Sequence, residues 1–408
     1  MTHKKIFLCQ LEPSRISVFP LGKDCYFVTG SYNVQYNIDC SLGLTGKAEF
    51  QSWILSNREG LGMMIFQLDG STIIYFQINV KLIKDDIQIL RIGLIGGLFQ
   101  KKSIYFGHVI PIYNGKERVL QLRIQMHFDQ EKSISNIPFY QTLLNTDRNV
   151  YTNEIEKGNT DSIYRVGNLL VRDPLSNQIV GRCFFQDYIS SQSNIGIGMS
   201  IYTTQTQILY AFTEVKYDTN IIDINSSAEL RAIVSSGQFM TNMFQQGKIQ
   251  TTLSEDRTKY LDTISGFLRE IPISQQKKLD CVLTDLSISI FSLQPKEPKA
   301  VVRLGTYILR LRESRQIIGK VIFQAYVETQ KSSIGTTILF LDALQGTIFG
   351  TFYAQLENPQ VIEPDSAQIG FNGGSGSFGS LYWGYASLIN IPNSKDRNAV
   401  LYYAVYCE

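Results

Sequence analysis

The 408-residue chain reads as an all-β protein of three tandem domains. Two observations carry that reading. One short pattern occurs three times, followed each time by the same landmarks in the same order. The segments between are short runs rich in Ile, Phe and Tyr, broken by Gly, Asn and Asp, without sustained helical periodicity. That is the signature of hairpin-connected strands in a sandwich or barrel.

The pattern is glycine, a base, two variable residues, Phe-Gln, one variable residue and a ring. Its copies are Gly46-Lys47-Ala48-Glu49-Phe50-Gln51-Ser52-Trp53, Gly181-Arg182-Cys183-Phe184-Phe185-Gln186-Asp187-Tyr188 and Gly319-Lys320-Val321-Ile322-Phe323-Gln324-Ala325-Tyr326. A glycine before an apolar run follows (Gly62, Gly198, Gly335), then a run closing on Phe76, Phe212 or Phe352. A glycine-containing turn leads to Phe99, Phe239 or Phe378, and an acid–arginine pair precedes the last run: Glu117-Arg118, Asp256-Arg257 and Asp396-Arg397. The period is too long for a solenoid, so each unit is expected to bury its own core.

In chain order, the first domain spans 1–128, with strands predicted over 6–11, 16–19, 26–29, 46–55, 63–68, 72–80, 87–95, 104–110 and 119–128. A polar linker, 129–162, follows, and its apolar piece 137–144 reads as a helical turn. The second domain spans 163–268, with strands over 164–171, 179–190, 196–202, 207–215, 228–235 and 247–253. The second linker, 269–299, is polar around Gln275-Gln276-Lys277-Lys278 and Pro295-Lys296-Glu297-Pro298. Within it, 286–293 reads as the opening strand of the third domain, 300–408, which closes on a strand over 399–406.

Composition narrows the function. Hydrophobic residues at 44% and aromatics at 12% suit a packed globular chain rather than a disordered one. A net charge of +2 gives no electrostatic footprint for nucleic acid. No apolar stretch reaches the roughly 18 residues of a membrane span. The start, Met1-Thr2-His3-Lys4-Lys5-Ile6-Phe7-Leu8, has too short an apolar region for a signal peptide. The six cysteines form no Cys-x-x-Cys and do not recur at equivalent repeat positions, so reduced thiols in an intracellular, reducing compartment are expected rather than disulfides or a zinc site. No cofactor and no metal is predicted.

Gly374-Ser375-Gly376-Ser377-Phe378-Gly379 matches Gly-x-Gly-x-x-Gly, but its flanks are β-like. Dinucleotide binding needs a strand before and a helix after, so a turn or bulge with positive φ is the expectation. The histidines, His3, His108 and His127, all belong to the first domain, so neither later domain can use a histidine base or ligand. A Ser-His-Asp or Cys-His site in the first domain has no recognisable third member.

The second and third repeats resemble the dirigent and allene oxide cyclase superfamily. Val171-Arg172-Asp173-Pro174-Leu175 followed by Ile179-Val180-Gly181-Arg182 resembles that family's Asp-Pro-Leu segment and Val-Gly-Arg strand. Gly373-Gly374-Ser375-Gly376-Ser377-Phe378 followed by Gly384-Tyr385-Ala386 resembles its Gly-Gly-Thr-Gly-Lys-Phe and Gly-Tyr-Ala segments. The first repeat is reached only through the internal alignment, with Gly96-Gly97-Leu98-Phe99 as a reduced version. The resemblance implies three tandem eight-stranded antiparallel β-barrels. Because family members often form trimers, it also implies packing as an intramolecular pseudo-trimer. The family's proteins steer the coupling of phenolic radicals or cyclise an unstable lipid epoxide, each holding an apolar substrate in the barrel. This chain departs from them: it lacks an evident secretory signal, unlike typical dirigent proteins, and no repeat keeps both segments, so activity does not follow from fold. Asp173 is the acid that matches a family motif. As a pocket acid it would protonate or orient a ligand; as a turn residue before proline it needs no such role.

Strand alternation puts Gln51 with Trp53, Gln186 with Tyr188, and Gln324 with Tyr326 on one face; these six are the candidate ligand-binding residues. Phe50, Phe185 and Phe323 share the opposite face and are expected to pack on neighbouring barrels. The acid–arginine pairs are expected as turn or inter-strand salt bridges. The leading functional expectation is a non-enzymatic structural or interaction protein, a subunit assembled with other protein subunits. The alternative is a small apolar ligand-binding protein, or a cyclase- or dirigent-type enzyme, using one barrel lumen. A third is glycan binding by exposed rings. Filled barrels with apolar exteriors would mark a subunit; an open lumen on the order of several hundred Å³ with ionisable groups inside would mark a ligand binder.

Overall fold

A computed structural model describes residues 3–22, 24–38, 43–69, 72–84, 86–99, 102–104, 106–113, 120–128, 140–143, 148–156, 159–173, 175–190, 195–204, 207–217, 228–239, 243–253, 259–270, 273–292, 300–328, 332–355, 366–379 and 381–405. Apart from the short 3-10 turns Ile273–Gln275 and Asp342–Leu344, every regular element among them is a strand. No helix among the described residues is long and apolar enough to cross a membrane. The chain forms two compact units, one from residues 1–130 and 274–408, the other from 131–273.

The first sheet comprises β1 (His3–Gly22), β2 (Cys25–Ile38), β3 (Leu44–Ile54), β4 (Glu59–Leu68), β5 (Thr72–Ile83), β6 (Asp86–Phe99), β7 (Lys102–Ile104), β8 (Phe106–Tyr113) and β9 (Leu120–Phe128). Its order is β7-β6-β5-β4-β3-β2-β1-β9-β8, antiparallel throughout. The two edge strands, β7 and β8, follow one another in the chain, so the sheet curls until its edges meet in a nearly closed barrel. Period-two patterning sets the faces: Phe7, Cys9 and Leu11 are buried, whereas Ile6 and Leu8, on the alternate positions, are each 46% exposed. The interior is filled with rings. Phe7 meets Phe99 edge-on at 5.4 Å, Phe66 meets Phe76 at 4.7 Å, and Tyr32 meets Phe50 at 5.4 Å.

The second sheet comprises β10 (Tyr140–Leu143), β11 (Arg148–Glu156), β12 (Asn159–Arg172), β13 (Ile179–Ser190), β14 (Ile195–Thr204), β15 (Gln207–Tyr217), β16 (Ala228–Phe239), β17 (Met243–Leu253) and β18 (Lys259–Glu270). It runs β10-β18-β17-β16-β15-β14-β13-β12-β11, and β10 also meets β12 through Gln141↔Arg172 and Thr142↔Val171. Of the piece expected as a helical turn, 137–144, the described residues 140–143 form strand β10 and the rest lie outside the described residues. The predicted linker 129–162 supplies β10, β11 and the start of β12.

The third sheet is a closed eight-stranded antiparallel barrel: β19 (Lys277–Ser292), β20 (Ala300–Leu311), β21 (Ile317–Glu328), β22 (Ser332–Leu341), β23 (Gly346–Gln355), β24 (Ser366–Gly376), β25 (Leu381–Asn390) and β26 (Arg397–Val405), with β19 paired to both β20 and β26. Its first strand begins at Lys277, inside the predicted linker 269–299 and ahead of the expected 286–293.

Phe50 and Phe323 point into their own barrels, not onto neighbours, which corrects the expectation for these two. Each sits directly across from a glycine on the preceding strand: Gly30↔Phe50, Gly305↔Phe323 and, in the second sheet, Gly167↔Phe185. A Cβ at Gly30 would lie 2.6 Å from the Phe50 ring, and one at Gly305 would lie 2.5 Å from Phe323. The missing side chain is thus the seat of the ring.

Within the first unit, the nearly closed barrel and the closed one pack face to face, so β5 is buried on both sides along most of its length. The Gln77 amide donates to the carbonyls of Thr337 (3.2 Å) and Gly350 (3.1 Å). Lys320 pairs with Glu59, and Lys320 and Arg91 lie 4.8 and 4.6 Å from the Phe340 ring centre. Gly93 admits Phe349, whose ring would lie 2.4 Å from an added Cβ. Gly93→Val is therefore expected to cost about 1–3 kcal/mol through overpacking, read as a lowered thermal midpoint; an unchanged midpoint would remove this contact from the account.

Candidate ligand site in the closed barrel

The inward face of β19–β26 encloses a narrow, mainly apolar cavity of about 90 Å³, smaller than the several hundred Å³ expected of a ligand-binding lumen and with room for a small molecule alone. The registers explain why it is open. Ser333, Ala354 and Ala367 follow one another across β22, β23 and β24, and Ala325 on β21 faces Arg303 on β20. The corresponding residues of the first barrel, counted from Gly62 as the equivalent of Gly335, are Gly60, Val80 and Ile89, also cross-strand neighbours. Val80 is fully buried and Ile89 2% exposed. At two of these three places the first barrel carries the larger side chain, Val80 for Ala354 and Ile89 for Ala367, while Gly60 is smaller than Ser333.

Two bases line the cavity, Arg303 and Arg397, and no acid does among the described lining residues. Arg397 is 4% exposed, and the Nε of each arginine is shut off from solvent. β20 and β26 both run antiparallel to β19, and each arginine lies near the start of its strand, so both sit towards the same end of the barrel. Ser333, Ala354 and Ala367 are near that end too. Tyr307, Leu309 and Leu339 line the remainder. The lumen thus has a roomy cationic end and a tighter apolar end.

Arg303 escaped the sequence reading, though a signal existed: Arg165-Val166-Gly167 and Arg303-Leu304-Gly305 recur just ahead of the repeated pattern. In the second unit, Arg165 pairs across the strands with Asp187, Nε to Oδ1 at 3.0 Å and Nη2 to Oδ2 at 2.5 Å, with both residues buried. Arg397, from the acid–arginine pair expected in a turn or inter-strand salt bridge, lines the lumen. Asp396 stays in the turn, its N–H donating to Ser394 Oγ at 3.0 Å. The pairs Glu117-Arg118 and Asp256-Arg257 lie outside the described residues.

The predicted site residues lie elsewhere. Gln51 and Trp53, like Gln324 and Tyr326, are on the outward faces of their barrels yet no more than 6% exposed. Trp53 packs against Phe27 at 4.6 Å. Gln186 and Tyr188 occupy the face opposite Phe185, where Gln186 Oε1 accepts from the Tyr164 hydroxyl at 2.7 Å. None of the six lines the lumen; all are buried packing residues. Asp173 organises the exposed β12–β13 hairpin. Its Oδ1 accepts from the N–H of Leu175 (3.0 Å) and Ser176 (2.7 Å) and from the Ser176 hydroxyl (2.9 Å). Those bonds, with Ser176 first, hold its carboxyl below the usual range. The carboxylate is thus engaged within the turn, the second of the two roles offered for it.

The Gly-x-Gly-x-x-Gly segment joins β24 to β25, with Gly376 at φ +64° and Gly379 N–H donating to the Gly376 carbonyl at 2.9 Å. It is a β-turn-β connection without the helix that nucleotide binding needs. Half-buried His108 abuts Gly379, while the side chains of His3 and His127 lie outside the described residues. Among the described residues no cluster of three or more His, Cys, Asp or Glu could hold a metal.

Cys9 and Cys281 are buried in the cores of the two barrels, and burial pushes both thiols up to about 12; for Cys281 Asp280 adds to the rise and Arg312 opposes it. From an ordinary value of 9.0, their thiolate fraction at neutral pH falls about a thousandfold. Both should resist iodoacetamide in the folded protein and react after urea unfolding. Rapid native labelling, read by peptide mass spectrometry, would contradict their placement.

The fold and site define an antiparallel β-barrel protein with a lumenal cavity. No protein-family model and no curated protein matches this sequence.

Proposed function

We propose that the chain is a binding protein for one small, mainly apolar molecule, held in the lumen of the closed barrel. The observation that carries this is the contrast between Ala354 and Ala367 and their plugged counterparts Val80 and Ile89. A narrow apolar cavity with a few placed polar groups is the usual form of a small-molecule site. The first barrel serves as a rigid support, with Gln77 fastened to the backbone of two strands of the cavity wall. In this reading the second unit, whose β10 bridges β18 and β12, is a third barrel of the same kind. The resemblance to the dirigent and allene oxide cyclase superfamily, whose members hold apolar substrates in a barrel, supports the same assignment, as binding rather than as either family reaction.

A second reading, as a subunit among other proteins, is favoured by an apolar patch on the first barrel. Leu8, Arg123 and Ile110 are cross-strand neighbours, and Leu8 and Ile110 are 46% and 52% exposed. Native mass spectrometry of protein gently isolated from its source separates the two: a lone chain with a small molecule supports the first, and a stable complex with other chains supports the second. Calorimetry tests the lumen directly. Octan-1-ol should bind, and Ala354→Leu with Ala367→Leu should abolish binding in a protein that still melts cooperatively. Undiminished binding by that variant would sink the reading.

A further inference from the structure

The first strand of the first barrel overshoots the last. β2 accompanies β1 as far as Gly22↔Cys25, but β9 pairs with it only as far as Leu11↔Leu120. Beyond Leu11 no described strand pairs with the other edge of β1. The strand bends there, with a bulge between Pro13 and Arg15. Two prolines tell which way the bare edge faces. Proline has no N–H, so within a sheet its nitrogen belongs on the unpaired side. Pro13 stands across from Tyr32 and Pro20 across from Tyr26. Ile16 and Val18 stand across from Gly30 and Val28, which share the same alternate positions of β2. Ile16 and Val18 therefore turn both N–H and C=O to the bare edge, while their side chains rest on the barrel core. The overshoot belongs to the repeat. Leu11, Ile16, Ser17 and Phe19 recur at the same spacing as Leu283, Ile288, Ser289 and Phe291, and β19 likewise runs past its last pair with β26, Leu283↔Arg397.

In the first barrel the bare edge borders an open cleft of about 880 Å³, between residues 12–16 of β1 and residues 83–84 and 86–88 of the β5–β6 hairpin. A site of this size with a strand edge for one wall suits a partner that brings its own evenly spaced backbone donors and acceptors, namely an extended chain. Each wall carries both signs of charge, Glu12 and Arg15 on the strand and Lys84 and Asp86 on the hairpin. Charge complementarity then asks for an acid and a base in the same short segment. Pro13 and Pro20 fence the edge, so the free donors lie between them. We propose that an extended peptide segment of another protein, bearing a base and an acid, docks in this cleft by adding a strand to β1 between Pro13 and Pro20. The site is independent of the lumen reading, which concerns the other barrel.

The test selects a displayed library of random seven-residue peptides on the immobilised full chain at neutral pH. The most enriched peptide is then synthesised with blocked ends. Enriched peptides should be rich in β-branched residues and carry Lys or Arg together with Asp or Glu. Binding, read by fluorescence anisotropy, should slow hydrogen exchange over residues 14–19. It should weaken about tenfold or more when the peptide's central nitrogens are methylated, because the hydrogen bonds of an added strand are then lost. Val18→Pro deletes one N–H from the bare edge and none from the ladder with β2, and should weaken binding by a similar factor; Val18→Thr, which keeps the N–H, should not. Thermal melts show that each variant is folded, and the methylated-peptide comparison needs no variant. If no peptide is enriched, if methylation leaves binding unchanged, or if exchange over residues 14–19 does not slow, the docking site is overturned. It is overturned too if the free chain forms dimers that Val18→Pro dissolves, since the occupant is then a second copy. Binding of octan-1-ol in the closed barrel is unaffected by any of these outcomes.

Discussion

Asp187→Ala is expected to destabilise the second unit by about 3–5 kcal/mol, the usual cost of removing one partner of a buried, hydrogen-bonded ion pair. The loss comes less from the missing attraction than from the buried charge left behind: Arg165 is 7% exposed and makes two hydrogen bonds to this carboxylate directly across the strand. The companion experiment isolates that cause. Replacing both partners with apolar residues, Arg165→Met with Asp187→Leu, should recover most of the loss, because no buried charge then remains. Chemical denaturation of the two variants reads the difference. If Asp187→Ala costs no more than about 1 kcal/mol, the range of exposed pairs, the pair is not buried as described.

Phe50→Ser should cost the first barrel about 3–5 kcal/mol, the range for truncating a large buried ring, with the buried hydroxyl adding to the loss. Phe50 is 1% exposed, lies against Tyr32 and is seated on Gly30. Phe323→Ser should cost less, because Phe323 is only half-buried and borders a cavity that already exists. The pairing of Lys320 with Glu59 between the barrels should survive both changes, since neither phenylalanine lies on the shared face. The opposite ranking, or loss of the inter-barrel contact with an intact first barrel, would show that the ring faces outward.

These two predictions mark how far the sequence could be read. Five landmarks in fixed order were enough for an all-β chain with repeats, because spacing and glycine positions survive divergence. Alternation separated Phe50 from Gln51 and Trp53, but a period of two cannot say which face is inside; only closure of the sheet decides that. The outward residues looked like site residues because they were aromatic and recurrent, and they are so because the outer face is itself buried. Residues 140–143 were read as part of a helical turn because a short apolar run fits either a strand or a helical turn. Arg397 was recognised as part of a repeated pair, but its direction depends on how β26 is registered on β19, which is information spread along the barrel. Arg303 sat one strand ahead of the pattern that drew attention, in an Arg-x-Gly that the second repeat shares at the equivalent place and the first replaces with Val28-Thr29-Gly30.

The central claim is that one barrel is open at Ala354 and Ala367 where its neighbour is filled by Val80 and Ile89. Crystals of the full chain pressurised with xenon test it most directly, since xenon enters apolar cavities of this kind without needing any particular polar group. A xenon peak inside the closed barrel, near Ala354 and Ala367, and none at Val80 and Ile89 in the first barrel, is the predicted result. Xenon in both interiors, or in neither, would contradict it.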